Sequence, residues 1–262
     1  MQQVASRALV VVLLVLSGCS HGNQPRTPAP LRTEVSGAEL DSLWGRAMAK
    51  FTHGKWRDAA TLFERVTLEV PATDTLAVAA HFRLAECYFA QKNQLQAARE
   101  FRRVSDDSPL SHLAPEALLR AGDAYADLWR KPELDPTYGQ TALSTYQELL
   151  NRYPDVPAAA RARLQIAQLE ELFARKELRS AEFYIRLKAY DSAILYLKDL
   201  VATYPRASVT PAALLKLVAA YRIVGYTEDL QETCGYIRRF HPTTEGLAQS
   251  CPAPVDSAAA GT

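Results

Sequence analysis

Cys19, Cys87, Cys234 and Cys251 are the thiols of this 262-residue chain. No two stand in the C-x-x-C spacing that builds a zinc site or a redox pair. The histidines, His21, His53, His81, His112 and His241, form no H-E-x-x-H or other metal-ligand spacing, so each reads as a surface or loop residue. No G-x-S-x-G, P-loop or G-x-G-x-x-G is present. Glu170 and Glu171 are adjacent and point to different sides of a helix, which rules them out as a paired acid and base. The expectation is therefore a protein that is not an enzyme, with no catalytic residue, metal or cofactor. Cys19 stands apart: Arg7 precedes the apolar run Ala8 to Leu16, and small Ser17 and Gly18 lead into the thiol. Nine apolar residues are too few to span a bilayer and match the apolar region of a secretory signal.

Leu16-Ser17-Gly18-Cys19 resembles a bacterial lipobox. That resemblance implies a lipid on the Cys19 sulfur, cleavage after a signal peptide of residues 1–18, and a mature chain that starts at Cys19. The alternative is an ordinary secreted protein with a cysteine near its cleavage site. Each buried methylene contributes about 0.8 kcal/mol, so two or more acyl chains make a stable anchor. Ser20, where some bacteria place an aspartate that retains lipoproteins at the inner membrane, favours the outer membrane. Residues 19–37 hold Pro25, Pro28 and Pro30 and few apolar side chains, and read as a lipidated flexible linker. Fifteen such residues reach about 50 Å at most. Residues 243–262, small and polar, read as a disordered tail. A net charge of +1 gives no support for a nucleic-acid partner.

Residues 38–242 carry a repeat. A small residue is followed by apolar ones at +4 and +7 and by proline at +12: Ala59, Phe63, Val66, Pro71; Ala97, Phe101, Val104, Pro109; Ala142, Tyr146, Leu149, Pro154; Ala193, Leu197, Leu200, Pro205. A fifth copy, Leu230, Cys234, Ile237, Pro242, has lost the small residue. The first intervals put one apolar stripe on a helix, and proline stops it. Ala85 with Tyr88 and Ala181 with Tyr184 sit at fixed distances before these stripes. Gly122 and Tyr125 match if an insertion near Arg130 to Gln140 is allowed. The pattern resembles the tetratricopeptide repeat. It implies an all-α, superhelical α-solenoid of about five helix pairs, curving right-handedly and sharing one continuous core. Ala158 to Leu187, without proline or glycine, forms one long helix or two with a bend. Cys234, on the buried stripe, reads as a small apolar residue; a disulfide with Cys251 is the alternative.

One face of each first helix lines the inner surface of such a stack. The phase puts Trp44, Met48 and Phe51 there, then Phe82, Glu86 and Phe89, and later Leu119, Asp123 and Asp127. Exposed aromatics need a cover, so Trp44, Met48, Phe51, Phe82 and Phe89 form a candidate peptide groove, with neighbouring helices or the linker as the alternative cover. Arg83 and Arg120 offer charge for a peptide carboxylate, although no motif places them.

Between Ala174 and Gly225, Lys176-Glu177, Phe183-Tyr184, Tyr190 with Ala193, Tyr204-Pro205, Ala213-Leu214 and Ala220-Tyr221 resemble the BamD family of outer membrane assembly lipoproteins. The resemblance implies a lipid-anchored scaffold on the periplasmic face of the outer membrane, within the machine that inserts β-barrel proteins. Its implied partners are a BamA-like β-barrel subunit, docked by the C-terminal units, and unfolded outer membrane proteins, whose C-terminal signal enters the N-terminal groove. The competing reading is another tetratricopeptide envelope lipoprotein that scaffolds division or peptidoglycan proteins.

Overall fold

The computed structural model describes residues 36–72 and 74–251. The signal peptide, the lipid site at Cys19, the linker before Ser36 and the tail beyond Cys251 lie outside the described residues. Ten long helices run α1 Gly37–Thr52, α2 Trp56–Glu69, α3 Thr75–Ala90, α4 Gln94–Asp107, α5 Ala114–Asp127, α6 Thr137–Arg152, α7 Pro157–Arg186, α8 Tyr190–Thr203, α9 Thr210–Val224 and α10 Thr227–Phe240, with a short α11 Leu247–Ser250. No strand occurs among the described residues. Each helix packs chiefly on its neighbours in sequence, so the architecture is an all-α solenoid of five helix pairs.

Local chemistry sets the helix ends. Ser36 and Glu39 form a reciprocal capping box on α1: the Ser36 hydroxyl accepts from the Glu39 N–H, and the Ser36 N–H donates to the Glu39 carboxylate at 3.0 Å. Asp74 accepts from the Leu76 N–H at 2.8 Å and caps α3. Pro115, Pro157 and Pro211 stand in the first turns of α5, α7 and α9, where a missing N–H costs nothing.

The repeated stripe is the core. Ala59, Phe63 and Val66, Ala97, Phe101 and Val104, Ala142, Tyr146 and Leu149, Ala193, Leu197 and Leu200, and Cys234 and Ile237 are all buried. Ala85, Gly122 and Ala181 are buried at the matching places of the first helices. Gly122 is required there: a Cβ on it would stand 2.4 Å from the Tyr146 ring.

Four of the five pairs turn on the same short device. Gly54, Lys92, Lys188 and Gly225 follow α1, α3, α7 and α9 with φ of +68°, +64°, +59° and +88°. The next residue's N–H donates back five residues, as from Lys55 to the Lys50 carbonyl and from Ala189 to the Tyr184 carbonyl. This is the Schellman closure, for which the left-handed conformation favours glycine. In a lysine that conformation costs about 1–2 kcal/mol. Lys188→Gly should therefore raise stability by about 0.5–1 kcal/mol after the added chain entropy of glycine is counted. Urea unfolding of the two forms checks it, and an unchanged midpoint would show the turn to be relaxed as it stands.

The third pair departs from this pattern. Residues 128–136 join α5 to α6, and Trp129, 1% exposed, plugs the junction. Its ring centroid lies 4.4 Å from that of Phe173, and its Nε1–H donates to the Leu134 carbonyl at 3.3 Å. α7 then runs unbroken for 30 residues, which settles the long stretch as one helix. Its first half packs Ala158, Ala159 and Ala162 against the third pair, and its second half places Ala174 and Ala181 against α8 and α9.

Two expectations are corrected. His81 is neither a surface nor a loop residue: it lies on α3, 9% exposed, with Nδ1 2.7 Å from a Glu100 carboxylate oxygen. A buried imidazole is tolerated because that hydrogen bond replaces its water. The tail expected to be disordered from residue 243 is packed as far as Cys251. Cys251 is bonded to Cys234 with 5.5 Å between the Cα atoms, Leu247 joins the core of α9 and α10, and Arg222 and Arg238 donate to the carbonyls of Ser250 and Cys251. Polar composition hid this, since the order comes from one covalent link and two guanidinium bonds with a single apolar side chain, Leu247.

Candidate functional site

Positions four apart on a helix share a face. On α1 those positions hold Trp44 and Met48; on α3 they hold Val78 and Phe82, with Ala79 and Arg83 beside them. Between them opens a cavity of about 690 Å³, closed at one end by the α4–α5 turn, which brings Ser108, Leu110, Ser111, His112 and Leu113 to its rim. The volume is that of a small-ligand or single-side-chain-and-backbone site.

Three of the five residues expected to form a groove line this cavity: Trp44, Met48 and Phe82. Trp44 is half-buried and held edge-on to Phe63, with centroids 5.3 Å apart. Phe82 is 7% exposed and also serves the core, edge-on to Phe101. Phe51 and Phe89 do not line it. Phe51 packs edge-on to Trp56 and lies under the Arg83 guanidinium, 5.3 Å from the ring centroid. Phe89 lies under Arg120 at 4.4 Å. The two arginines thus supply the cover that exposed aromatics require, as cation–π caps. Leu119, placed on the inner face by the repeat phase, is buried in the core of the third pair instead.

Arg83 stands at the cavity wall with one arm bonded to Glu86 at 2.7 Å. Its guanidinium has five donors, so this bond leaves capacity for a second acceptor. Arg120 pairs with Asp123 at 3.4 Å. Burial pushes the Asp123 carboxyl above its ordinary range, while the Tyr146 hydroxyl, donating at 2.8 Å, and Arg120 pull it back. That carboxylate belongs to the packing of α5 on α6. Among the described residues no group of three or more His, Cys, Asp or Glu side chains is arranged to hold a metal ion.

The turn residues of the rim were not foreseen, because the repeat phase speaks only of helix faces. Leu110, directly after the helix-stopping Pro109, is fully exposed, and a single exposed leucine is no signal of a site in the sequence.

Comparison with known proteins gives a consistent result. A family model described as "YfiO: Outer membrane lipoprotein" matches residues 38–234. The outer membrane protein assembly factor BamD of Haemophilus influenzae is 21% identical over 243 residues, covering 89% of each chain. That of Caulobacter vibrioides is 22% identical over 222 residues, 85% of this chain and 71% of the relative. The BamD of Vibrio cholerae is 31% identical over 99 residues, and this match spans 38% of the chain and 41% of the relative. Among solved structures, a thermophilic TPR protein in Thermus thermophilus aligns over 80% of this chain and 95% of its own, at 19% identity and a TM-score of 0.39.

Proposed function

Since this chain belongs to the outer membrane lipoprotein family YfiO, we propose that it is a lipid-anchored scaffold on the periplasmic face of the outer membrane, serving outer membrane protein assembly. Cys19 carries the lipid, the C-terminal units dock a BamA-like barrel subunit, and the N-terminal cavity receives the C-terminal end of unfolded barrel proteins. The observation that carries the reading is the cavity between α1 and α3, which combines an apolar, aromatic lining with a guanidinium at its wall. An aromatic C-terminal residue presents just that pair of chemistries, a ring to bury and a carboxylate to pair. The Cys234–Cys251 disulfide supports an oxidising compartment and hence export.

Fluorescence anisotropy of a labelled peptide ending in phenylalanine, titrated with the full chain in lipid nanodiscs, tests the cavity. Burying one aromatic side chain is worth about 1.5–3 kcal/mol, and 1.4 kcal/mol is tenfold in affinity. Trp44→Ala and Ala79→Trp, the second filling the space, should each weaken binding about tenfold or more, and amidation of the peptide's C-terminus should weaken it as well. Phe82 is a poorer probe because its loss would also open the core. Unchanged affinity in Ala79→Trp would remove the cavity from the peptide's path. A mild-detergent pull-down tests the scaffold itself: a barrel protein with repeated periplasmic domains should co-purify in stoichiometric amount, and recovery of division or peptidoglycan proteins in its place would overturn the assignment.

A further inference from the structure

Four sulfur-bearing side chains stand among the described residues, Met48, Cys87, Cys234 and Cys251, and an oxidant meets each of them differently. Cys234 and Cys251 are already joined, and each is 3% exposed. Cys87 is fully buried in the core shared by α1, α2 and α3, and burial pushes its thiol up to about 12. The thiolate is the reactive form, so Cys87 is held inert. Met48 is the one methionine among the described residues. One side of it packs on that same core, and it is half-buried where it lines the cavity with Trp44, Phe82 and Arg83. A thioether carries no proton, so no pKa protects it. Access alone governs its oxidation, and the cavity supplies access.

Oxidation would change what the cavity can hold. A thioether is an apolar, polarizable group suited to an aromatic neighbour, whereas a sulfoxide is polar. The new oxygen is a hydrogen-bond acceptor with two fates here. Left among the apolar lining, it has no donor and opposes the burial of a ring beside it. Bonded to Arg83, it takes donors that a ligand carboxylate would use.

We propose that Met48 is an oxidation site through which hydroperoxides close the N-terminal cavity to its ligand. The sulfur lone pair attacks one peroxide oxygen, a sulfur–oxygen bond forms and the oxygen–oxygen bond breaks. Sulfur loses two electrons. The proton of the transferred oxygen passes to the leaving oxygen, which departs as water or an alcohol. The effect on binding rests on the reading of this cavity as a peptide site; the sulfur chemistry does not.

The test treats the full chain in lipid nanodiscs with hydrogen peroxide, quenched at intervals by catalase. Proteolytic mapping by mass spectrometry follows the oxygen, and the labelled peptide ending in phenylalanine follows the affinity. One oxygen should appear on Met48 while Cys87 stays a thiol. Ala79→Trp, which fills the cavity, should slow that reaction severalfold with the circular dichroism unchanged. Peptide affinity should fall about tenfold as the sulfoxide forms. It should recover on treatment with the two stereospecific methionine sulfoxide reductases. In Met48→Leu, peroxide should leave the affinity at its value before treatment. No sulfoxide at Met48, an equal oxidation rate in Ala79→Trp, or an equal loss of affinity in Met48→Leu overturns the proposal. Complete oxidation of Met48 with affinity intact also overturns it, and spares the peptide reading. Absence of peptide binding before peroxide would overturn that reading and the closure with it.

Discussion

Tyr146→Ala should unfold at a much lower denaturant concentration than the wild type, with a loss of about 3–5 kcal/mol. Tyr146 is fully buried and its ring fills the space over Gly122, where a Cβ would come within 2.4 Å. No neighbouring side chain can follow into that space without moving α5 on α6. The hydroxyl adds a second cost, because it donates at 2.8 Å to Asp123, a carboxylate whose pKa burial already raises. Tyr146→Phe separates the two: it keeps the ring and should lose only about 1–3 kcal/mol. That smaller loss should depend on pH. The donated bond favours the charged carboxylate, so its absence costs most where Asp123 is ionised in the native state. As pH falls through the raised native pKa, Asp123 takes up a proton and the deficit of Tyr146→Phe should shrink. Urea midpoints of the three forms at neutral and acidic pH measure both effects, and a deficit in Tyr146→Phe that grows on acidification would contradict the assignment of that bond.

The second large effect belongs to Trp129. Removing a ring this deeply buried should cost about 3–5 kcal/mol. Its relation to Gly139 gives a sharper result than the cost alone. A Cβ at Gly139 would stand 2.1 Å from the indole, and the nearest atoms are ring carbons held against Phe173. Gly139→Ala should therefore destabilise the wild type by about 1–3 kcal/mol through overpacking. In the Trp129→Ala background the obstruction is gone, and alanine is better than glycine inside a helix by about 1 kcal/mol. There the same substitution should stabilise. A double-mutant cycle by thermal or urea unfolding reads this change of sign. Additive effects would mean that the indole and α6 do not meet.

The repeat was legible because tight packing allows few residue types. Phe63, Phe101, Tyr146, Leu197 and Cys234 fall at one phase of the repeat, and every one is buried. The groove was legible in part: Trp44, Met48 and Phe82 share a cavity because α1 and α3 face alike, but the repeat phase cannot say which aromatics an arginine already covers. Trp129 escaped because it lies in the insertion, where no period applies. Gly139 makes room for it on α6, but Gly45 and Gly235 stand in helices with open space around them, so a helical glycine alone does not announce a neighbour. The packed end at Cys251 escaped for a different reason, since a disulfide pairs residues that composition treats as unrelated.

A 30-residue helix is about 45 Å long, and α7 is such a rod, built into both halves of the protein. Where an ordinary repeat boundary would supply a joint, the chain has a beam. Leu169 and Phe173, buried at its middle, fix it to Trp129 on one side, and Phe173 stacks with Tyr204 on the other. A load applied near α9 is then carried to the third pair through one hydrogen-bonded shaft, with bending left to the helices beyond its ends. The spacing of the third pair from the fourth is therefore set by a ruler and not by a hinge.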